Sequence, residues 1–348
     1  CFQQEQQQNF YQLSMVPNHV IEEILSRLPV KSITRFRCVC KSWCDLLSDR
    51  FFMDMHLNRS IERGAVNIFL RLFRPPYTIY SLDPEEPNHV VNLGFSKSFC
   101  KKIDSFIGSC NGLVCVLHHT RVVSIFKPSL PSTRQGTLIL KKPLPCETVY
   151  GFFYNPVSCD YQLLCVGSDW EHDAKVVLYT FVKNSQKMIA EIPYDSVIPE
   201  AGILVNGAIH WLACRRIPKL LLPSKRVIVA FNCKSETFLE VPRPESENCF
   251  HSRHLTELAG YLSILRTNNT EFEVWSMKKY GIKESWTKLL VLPYSHPDYV
   301  ESFYITKKGD LLLTILFGEG LFLYDQEHKS LNNIEIRKRY CSWYKQKD

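Results

Sequence analysis

The chain has 348 residues, 45% hydrophobic and 22% charged, with 42 Lys and Arg against 35 Asp and Glu for a net charge of +7. That balance suits a globular protein with one large domain and one small one, and it argues against general disorder. The positive excess is spread out, with mild clusters at Arg59 to Arg74 and Arg337 to Lys347 and no basic stripe interleaved with stacking aromatics, so nucleic acid is not expected as a partner. No apolar run nears the roughly 20 residues that span a bilayer, so no membrane partner is expected either. The 14 cysteines are scattered through apolar segments of a chain far larger than disulfide-stapled scaffolds. They read as free thiols of a reducing compartment, cytoplasmic and/or nuclear.

Residues 1–14, CFQQEQQQNFYQLS, form a Gln-rich leader expected to be disordered. From residue 15 to 58 the pattern is helical. Pro17 suits the first position of a helix, and Val20, Ile21, Ile24, Leu25 and Leu28 recur at the three-and-four spacing of one face. Pro29 ends that helix and opens a second, with Ile33, Phe36 and Cys40 on a shared face and Lys31, Arg35 and Arg37 turned to water. A third short helix follows, with Ser42 as its expected cap and Trp43, Leu46 and Leu47 pointing inward. Three helices of about ten residues bury too little surface to be comfortable alone, so part of this apolar set is expected to meet a partner.

From residue 65 to 340 the period changes to two. NIFLRLF, YTIYSL, LVCVL, VVSIF, YQLLCVG, KVVLYTF, AIHWLA, RVIVAF, YLSILR, FEVWSM, LLLTILF and LFLYD are short, rich in β-branched and aromatic residues, and separated by turn formers. Asn111-Gly112, Asp160-Tyr161, Asn206-Gly207, Ala259-Gly260 and Lys308-Gly309 each open an apolar strand, recurring about every 50 residues. An aromatic follows in a paired strand, at Phe126, Tyr179, Phe231, Trp275 and Tyr324, before a polar turn such as Asn232-Cys233-Lys234 or Asp325-Gln326-Glu327. With the pair between Asn67 and Asp83 this makes about six blade-like units. The expected fold class is therefore α+β multidomain, a three-helix unit followed by an all-β, propeller-like domain of kelch-type period. Two stacked sandwich sheets are the rival all-β reading.

Pro17, Ile24-Leu25, Leu28-Pro29, Phe36, Val39-Cys40-Lys41 and Trp43, followed by Phe51-Phe52 and His56, resemble the F-box of plant proteins. Val16 stands in place of the usual leucine before the proline, and Cys44 in place of a common arginine. The stretch Ile107-Gly108-Ser109-Cys110-Asn111-Gly112-Leu113-Val114-Cys115 resembles the GSCNGLLCL signature of the plant F-box-associated interaction domain. Phe272 to Pro293 is similar to that domain's VWVMKEYGVKESWTKL segment. Phe126-Lys127-Pro128-Ser129 departs from the family's NPxTR, and the kelch double glycine is missing. The resemblance, to the kelch-like and S-locus F-box-type group, implies that the helical unit docks a Skp-type adaptor and through it a cullin and a RING protein. The β domain then selects a protein client for ubiquitination and proteasomal degradation. In that frame Pro17, Ile21, Leu28, Pro29 and Val39 are expected to face the adaptor, and Ile24, Leu25, Phe36 and Trp43 to hold the F-box core together.

Nothing else in the sequence points to bond chemistry. Cys38, Cys40 and Cys44 lack a second ligand pair at zinc-finger spacing, and Gly318-Glu319-Gly320 lies between strands rather than at a strand-to-helix turn. His118-His119 and His251 to His254 read as solvated loop residues without an assignable partner. Trp211, Trp275, Trp286, Tyr280 and Tyr324 are aromatics that can anchor an interface, though most are expected in the core. Client contacts are instead expected from the loops Arg215 to Lys225, Pro242 to His254 and Tyr294 to Tyr299, which carry Arg215, Arg216, Arg243, Arg253, His254 and Tyr294. No catalytic residue, metal or cofactor is expected. The alternatives are an F-box scaffold or sugar- or protein-binding module that acts without ubiquitination, and a propeller enzyme with a fused helical unit.

Overall fold

The computed structural model describes residues 16–347 apart from 63–65, 73–76, 120–121, 129–133, 140–146, 170–171, 193, 198–200, 216–225, 245–250, 268–270, 294–299, 316–319 and 335–340. The leader expected at residues 1–14 lies outside the described residues. The chain divides into a helical unit, residues 1–66 with 347–348, and a β unit, residues 67–346. Among the described residues no helix is long and apolar enough to cross a membrane.

The helical unit contains α1 (Asn18–Leu25), α2 (Val30–Phe36), α3 (Lys41–Leu46) and α4 (Arg50–Glu62). Pro17 and Pro29 stand one residue ahead of their helices, at φ −57° and −59° with extended ψ, so Pro17 is a cap and not the first helical residue. Helical geometry ends at Arg37. Cys40, extended at φ −158°, takes the N-cap of α3 in place of Ser42 and leaves the face it was expected to share with Ile33. The fourth helix was not expected from the pattern. Its start is capped by Asp49, whose carboxylate accepts hydrogen bonds from Phe51 N at 2.8 Å and Phe52 N at 3.2 Å. Leu25, Ile33, Leu47 and Phe52 form the interior, with Ile21, Leu28, Phe36, Trp43, Leu46 and Met55 packed on it. Phe36 and Trp43 meet edge to face with centroids 5.6 Å apart. Arg59 on α4 donates to the Glu23 carbonyl at 3.0 Å, the Glu23 carboxylate and the Ser26 hydroxyl, tying the last helix to the first.

The β unit is six sheets. The first joins β1 (Val66–Leu72), β2 (Ile79–Leu82) and β3 (Val90–Asn92). Helix α5 (Lys97–Lys102), capped by Ser96, leads into the second, β4 (Ile103–Cys110), β5 (Leu113–His118), β6 (Val122–Phe126) and β7 (Arg134–Ile139). The third is β8 (Glu147–Asn155), β9 (Asp160–Asp169), β10 (His172–Thr180) and β11 (Ser185–Ile192). In the fourth, β12 (Tyr194–Val197) and β13 (Ile203–Val205) both pair with β14 (Ala208–Arg215), followed by β15 (Arg226–Asn232) and β16 (Thr237–Val241). The fifth is β17 (His251–Leu258), β18 (Tyr261–Thr267), β19 (Glu271–Met277) and β20 (Trp286–Pro293). The sixth is β21 (Val300–Ile305), β22 (Leu311–Ile315), β23 (Gly320–Asp325) and β24 (Ser330–Ile334). The last strand, β25 (Cys341–Lys347), pairs with β1 and so completes the first sheet from the far end of the unit.

The sheets pack face to face in chain order. Phe69 and Ile79 of the first meet Val114, Val116 and Phe126 of the second, and Cys115 and Ile125 of the second meet Phe152, Leu163 and Tyr179 of the third. Phe153 and Val176 then pack on Ile209 and Trp211, Leu212 and Ile228 on Ile264 and Met277, and Leu265 and Val274 on Leu311 and Leu313. First strands of successive sheets neighbour one another: β4 lies beside β8, β8 beside β12 and β13, β13 beside β17, and β17 beside β21. They form the inner ring of a six-bladed propeller, and the sandwich reading is set aside. At one point this ring is too tight for a side chain. A Cβ on Gly151 would stand 2.6 Å, and one on Gly202 2.5 Å, from Cγ2 of Ile209, so both positions need glycine.

Candidate docking surface and recognition face

Interior packing of the helical unit uses Ile21 and Leu25 of α1 together with Leu28 in the turn that follows it. Ile24 falls outside that set and is 55% exposed, so it is not a core residue as its spacing had suggested. Leu25 is buried, while Phe36 and Trp43 are half-buried against the interior. Of the residues expected to face a partner, Pro17, Pro29 and Val39 are exposed, Val39 by 60%. Ile21 and Leu28 instead contribute mainly to the interior. Phe51 and Met53, which the sequence reading did not assign to a surface, are exposed as well. Water-facing Ile, Val and Phe on a unit this small are costly unless something covers them. Glu23, beside them on α1, is held below the usual carboxylate range by Arg59 first and then Arg27.

In the β unit strands alternate in direction, so the end of each second strand, the start of each third and the link from one sheet to the next lie on one face of the ring. Arg215 at the end of β14, Arg226 at the start of β15, Arg243 just after β16, and Arg253 and His254 near the start of β17 are all on that face. The three segments expected to bind a client attach to it. Arg216 and Tyr294 lie outside the described residues. Arg215 is not a free cation: its guanidinium grips both Glu240 oxygens at 2.7 Å, and the Tyr194 hydroxyl donates to the same carboxylate at 3.0 Å. Arg243, in the connection after β16, is half-buried and donates to the Arg226 carbonyl at 2.7 Å. Burial, then the neighbouring Arg266 and Arg226, pull its pKa down. His251 to His254, expected in a loop, belong to β17.

The remaining singled-out residues are structural. Trp211 and Trp286 are buried, and the Trp286 indole donates to the Pro242 carbonyl at 2.8 Å, joining the fifth sheet to the fourth. Tyr280 does the same from the connection between β19 and β20. Its hydroxyl lies 2.7 Å from His210 Nε2, while His210 Nδ1 lies 3.1 Å from the Ile203 carbonyl. A carbonyl can only accept, so Nδ1 carries the proton and the tyrosine donates to Nε2. His210 is fully buried, and burial pushes its pKa down to about 4. Gly281 turns the chain there at φ +80°, and Ser285 Oγ donates to the Lys279 carbonyl at 2.7 Å. His118 is buried against Ser124, and His119 reaches Asp104 at 3.3 Å. Cys38, Cys40 and Cys44 are free thiols, and among the described residues no three His, Cys, Asp or Glu side chains are placed to hold a metal ion.

Residues 13–54 match the F-box domain family, and residues 74–347 match the F-box associated beta propeller domain family. Among curated relatives, an F-box/kelch-repeat protein of Arabidopsis thaliana is 26% identical, the alignment covering 89% of this chain and 87% of that protein. The F-box protein CPR1 of the same plant is 25% identical over 93% of this chain and 85% of its own. Among solved structures, TolB from Acinetobacter baumannii superposes with a TM-score of 0.50 at 12% identity, covering 86% of this chain and 73% of that one, a likeness of fold alone. With both domains matched along most of its length, the chain belongs to the F-box proteins that carry an F-box-associated β-propeller domain.

Proposed function

We propose that this chain is the substrate-recognition subunit of a Skp–cullin–F-box ubiquitin ligase in the cytoplasm or nucleus. The observation that carries the proposal is the exposed apolar set Pro17, Ile24, Pro29 and Val39 on a helical unit that matches the F-box domain. Desolvating such residues against a helical adaptor supplies the binding energy. The propeller holds a protein client through the face that carries Arg226, Arg243 and Arg253. Their like charge favours an acidic client patch. The chain performs no bond chemistry itself. It raises the effective concentration of the client at the ubiquitin-loaded enzyme and orients it. Affinity purification of the tagged chain from plant cells under proteasome inhibition tests the proposal: adaptor, cullin and a ubiquitinated client are expected together. Recovery of the adaptor without any ubiquitinated client would turn the reading toward a scaffold, and recovery of neither would end it.

A further inference from the structure

Charge is distributed unevenly around the exposed apolar residues of the helical unit. From Arg27 to Cys44 the chain carries Arg27, Lys31, Arg35, Arg37 and Lys41 and no carboxylate. Arg27 is neutralised by Glu23, whose carboxylate accepts from its Nε at 3.0 Å. Arg35, Arg37 and Lys41 are exposed, and none of the three forms an ion pair among the described residues. Asp45, one turn along α3 from Lys41, forms none either, and Asp49 is occupied in capping α4.

These cations flank Val39. Cys38 N and Val39 N bond the Arg35 and Phe36 carbonyls at 3.1 Å, so the chain keeps turning past α2 and Arg35 lies one turn before Val39. Arg37 and Lys41 stand two residues to either side of it. Arg37 is held in place even though it lies in water: its Nη2 donates to Ser48 Oγ at 2.9 Å, and Ser48 Oγ donates in turn to the Cys44 carbonyl at 2.6 Å. Both partners are neutral, so the guanidinium keeps its whole charge in a fixed position, which lowers the entropy lost when it meets an anion. Along α1 the charge is of the other kind, with Glu22 and Glu23 on either side of the Ile21–Ile24 turn and Glu23 already paired to Arg27 and Arg59. Val39 is 60% exposed, and a partner that desolvates it also comes down on the cations beside it. Covering them without opposite charge is strongly unfavourable, so the covering surface has to bring carboxylates.

We propose that the adaptor surface that covers Val39 is acidic, and that Arg35, Arg37 and Lys41 steer the helical unit onto it in one orientation. This steering rests on the docking role proposed above. Exposed charges act over about 8 Å at physiological salt, so their effect falls on the rate of association more than on the lifetime of the complex.

Stopped-flow association of the full chain with a recombinant Skp-type adaptor, between about 50 and 500 mM NaCl, tests the steering. The association rate is expected to fall about tenfold or more across that range while the dissociation rate changes little. Arg35→Gln, Arg37→Gln and Lys41→Gln together are expected to slow association about tenfold at low salt and to flatten its salt dependence, with circular dichroism and melting nearly unchanged. Lys41→Gln alone, which breaks no ion pair among the described residues, is expected to slow it about two- to threefold. Three exposed lysines of the β unit supply a charge-matched control, and Lys183→Gln, Lys234→Gln and Lys329→Gln together are expected to leave the rate nearly unaltered. Association insensitive to salt, a triple variant as fast as the native chain, or equal slowing by the β-unit lysines would overturn the steering and leave the docking role standing. A native chain that does not bind the adaptor at any salt concentration would overturn both.

Discussion

The clasp between His210 and Tyr280 makes the stability of the β unit depend on pH in a calculable way. Both ring nitrogens are engaged and the imidazole is fully buried, so the folded chain holds it neutral, with a pKa of about 4 against 6.5 for the free side chain. The unfolded chain therefore takes up a proton below pH 6.5 that the folded chain refuses until about pH 4. Because the folded pKa is lowered, the contribution is fully present above pH 6.5 and declines as pH falls toward 4. The difference amounts to about 3 kcal/mol, at about 1.4 kcal/mol per unit. Other groups titrate in the same window, so the readout is the difference between the native chain and His210→Phe in urea unfolding. That variant loses a fixed ~1–3 kcal/mol, because the Tyr280 hydroxyl and Ile203 carbonyl lose a partner. The gap between the two chains should be largest near neutral pH and shrink by about 3 kcal/mol toward pH 4. A gap independent of pH would show that His210 is hydrated or already charged, and the clasp as described would be wrong.

Three further outcomes follow from the packing. Gly112 and Gly207 sit at φ +69° and +73° in open space, so valine at either should cost roughly 1–3 kcal/mol through backbone strain alone, read in thermal unfolding. Gly151→Ala should destabilise through collision with Ile209, and Ile209→Ala should restore part of the loss in a double-mutant cycle, a coupling expected to be absent for Gly112. Exchanging the connections attached at Arg215, Arg243 and Pro293 for those of a relative should change the ubiquitinated client and leave adaptor affinity unaltered, read by pull-down and ubiquitination assay.

The middle of each blade was legible in the sequence and its edges were not. All twelve apolar runs identified there fall in second and third strands, from β1 and β2 through β22 and β23. These strands have sheet on both sides and a neighbouring blade on each face, so β5 and most of β14 are buried without alternation. Outer strands such as β16 and β24 are edges with mostly exposed residues, and their composition resembles that of a loop. The approximately 50-residue beat was real because Asn111-Gly112, Asn206-Gly207 and Ala259-Gly260 all turn the first strand into the second with positive φ. The family motif around Tyr280 marked a clasp between blades and not a recognition surface. Its partner, His210, lies 70 residues away and carries no local signal. In the helical unit, spacing identified Leu25 but misassigned Ile24, because a helix of eight residues presents too few turns to separate an inward stripe from its margin. Asp49 before Arg50 was the readable sign of the missed fourth helix.

The central claim is that exposed apolar side chains of the helical unit dock an adaptor, and the direct measurement is the affinity of the purified full chain for a recombinant Skp-type adaptor. Ile24 and Val39 are 55% and 60% exposed, so replacing both with aspartate should leave circular dichroism and melting of the free chain nearly unchanged. Adaptor affinity should fall about a hundredfold or more, as expected when two desolvated apolar contacts become charges. Leu25→Ala is the control, expected to lose affinity only by unfolding the helical unit, at about 2–5 kcal/mol. A native chain that fails to bind the adaptor, or an Ile24→Asp, Val39→Asp chain that binds it as tightly as the native one, would contradict the account.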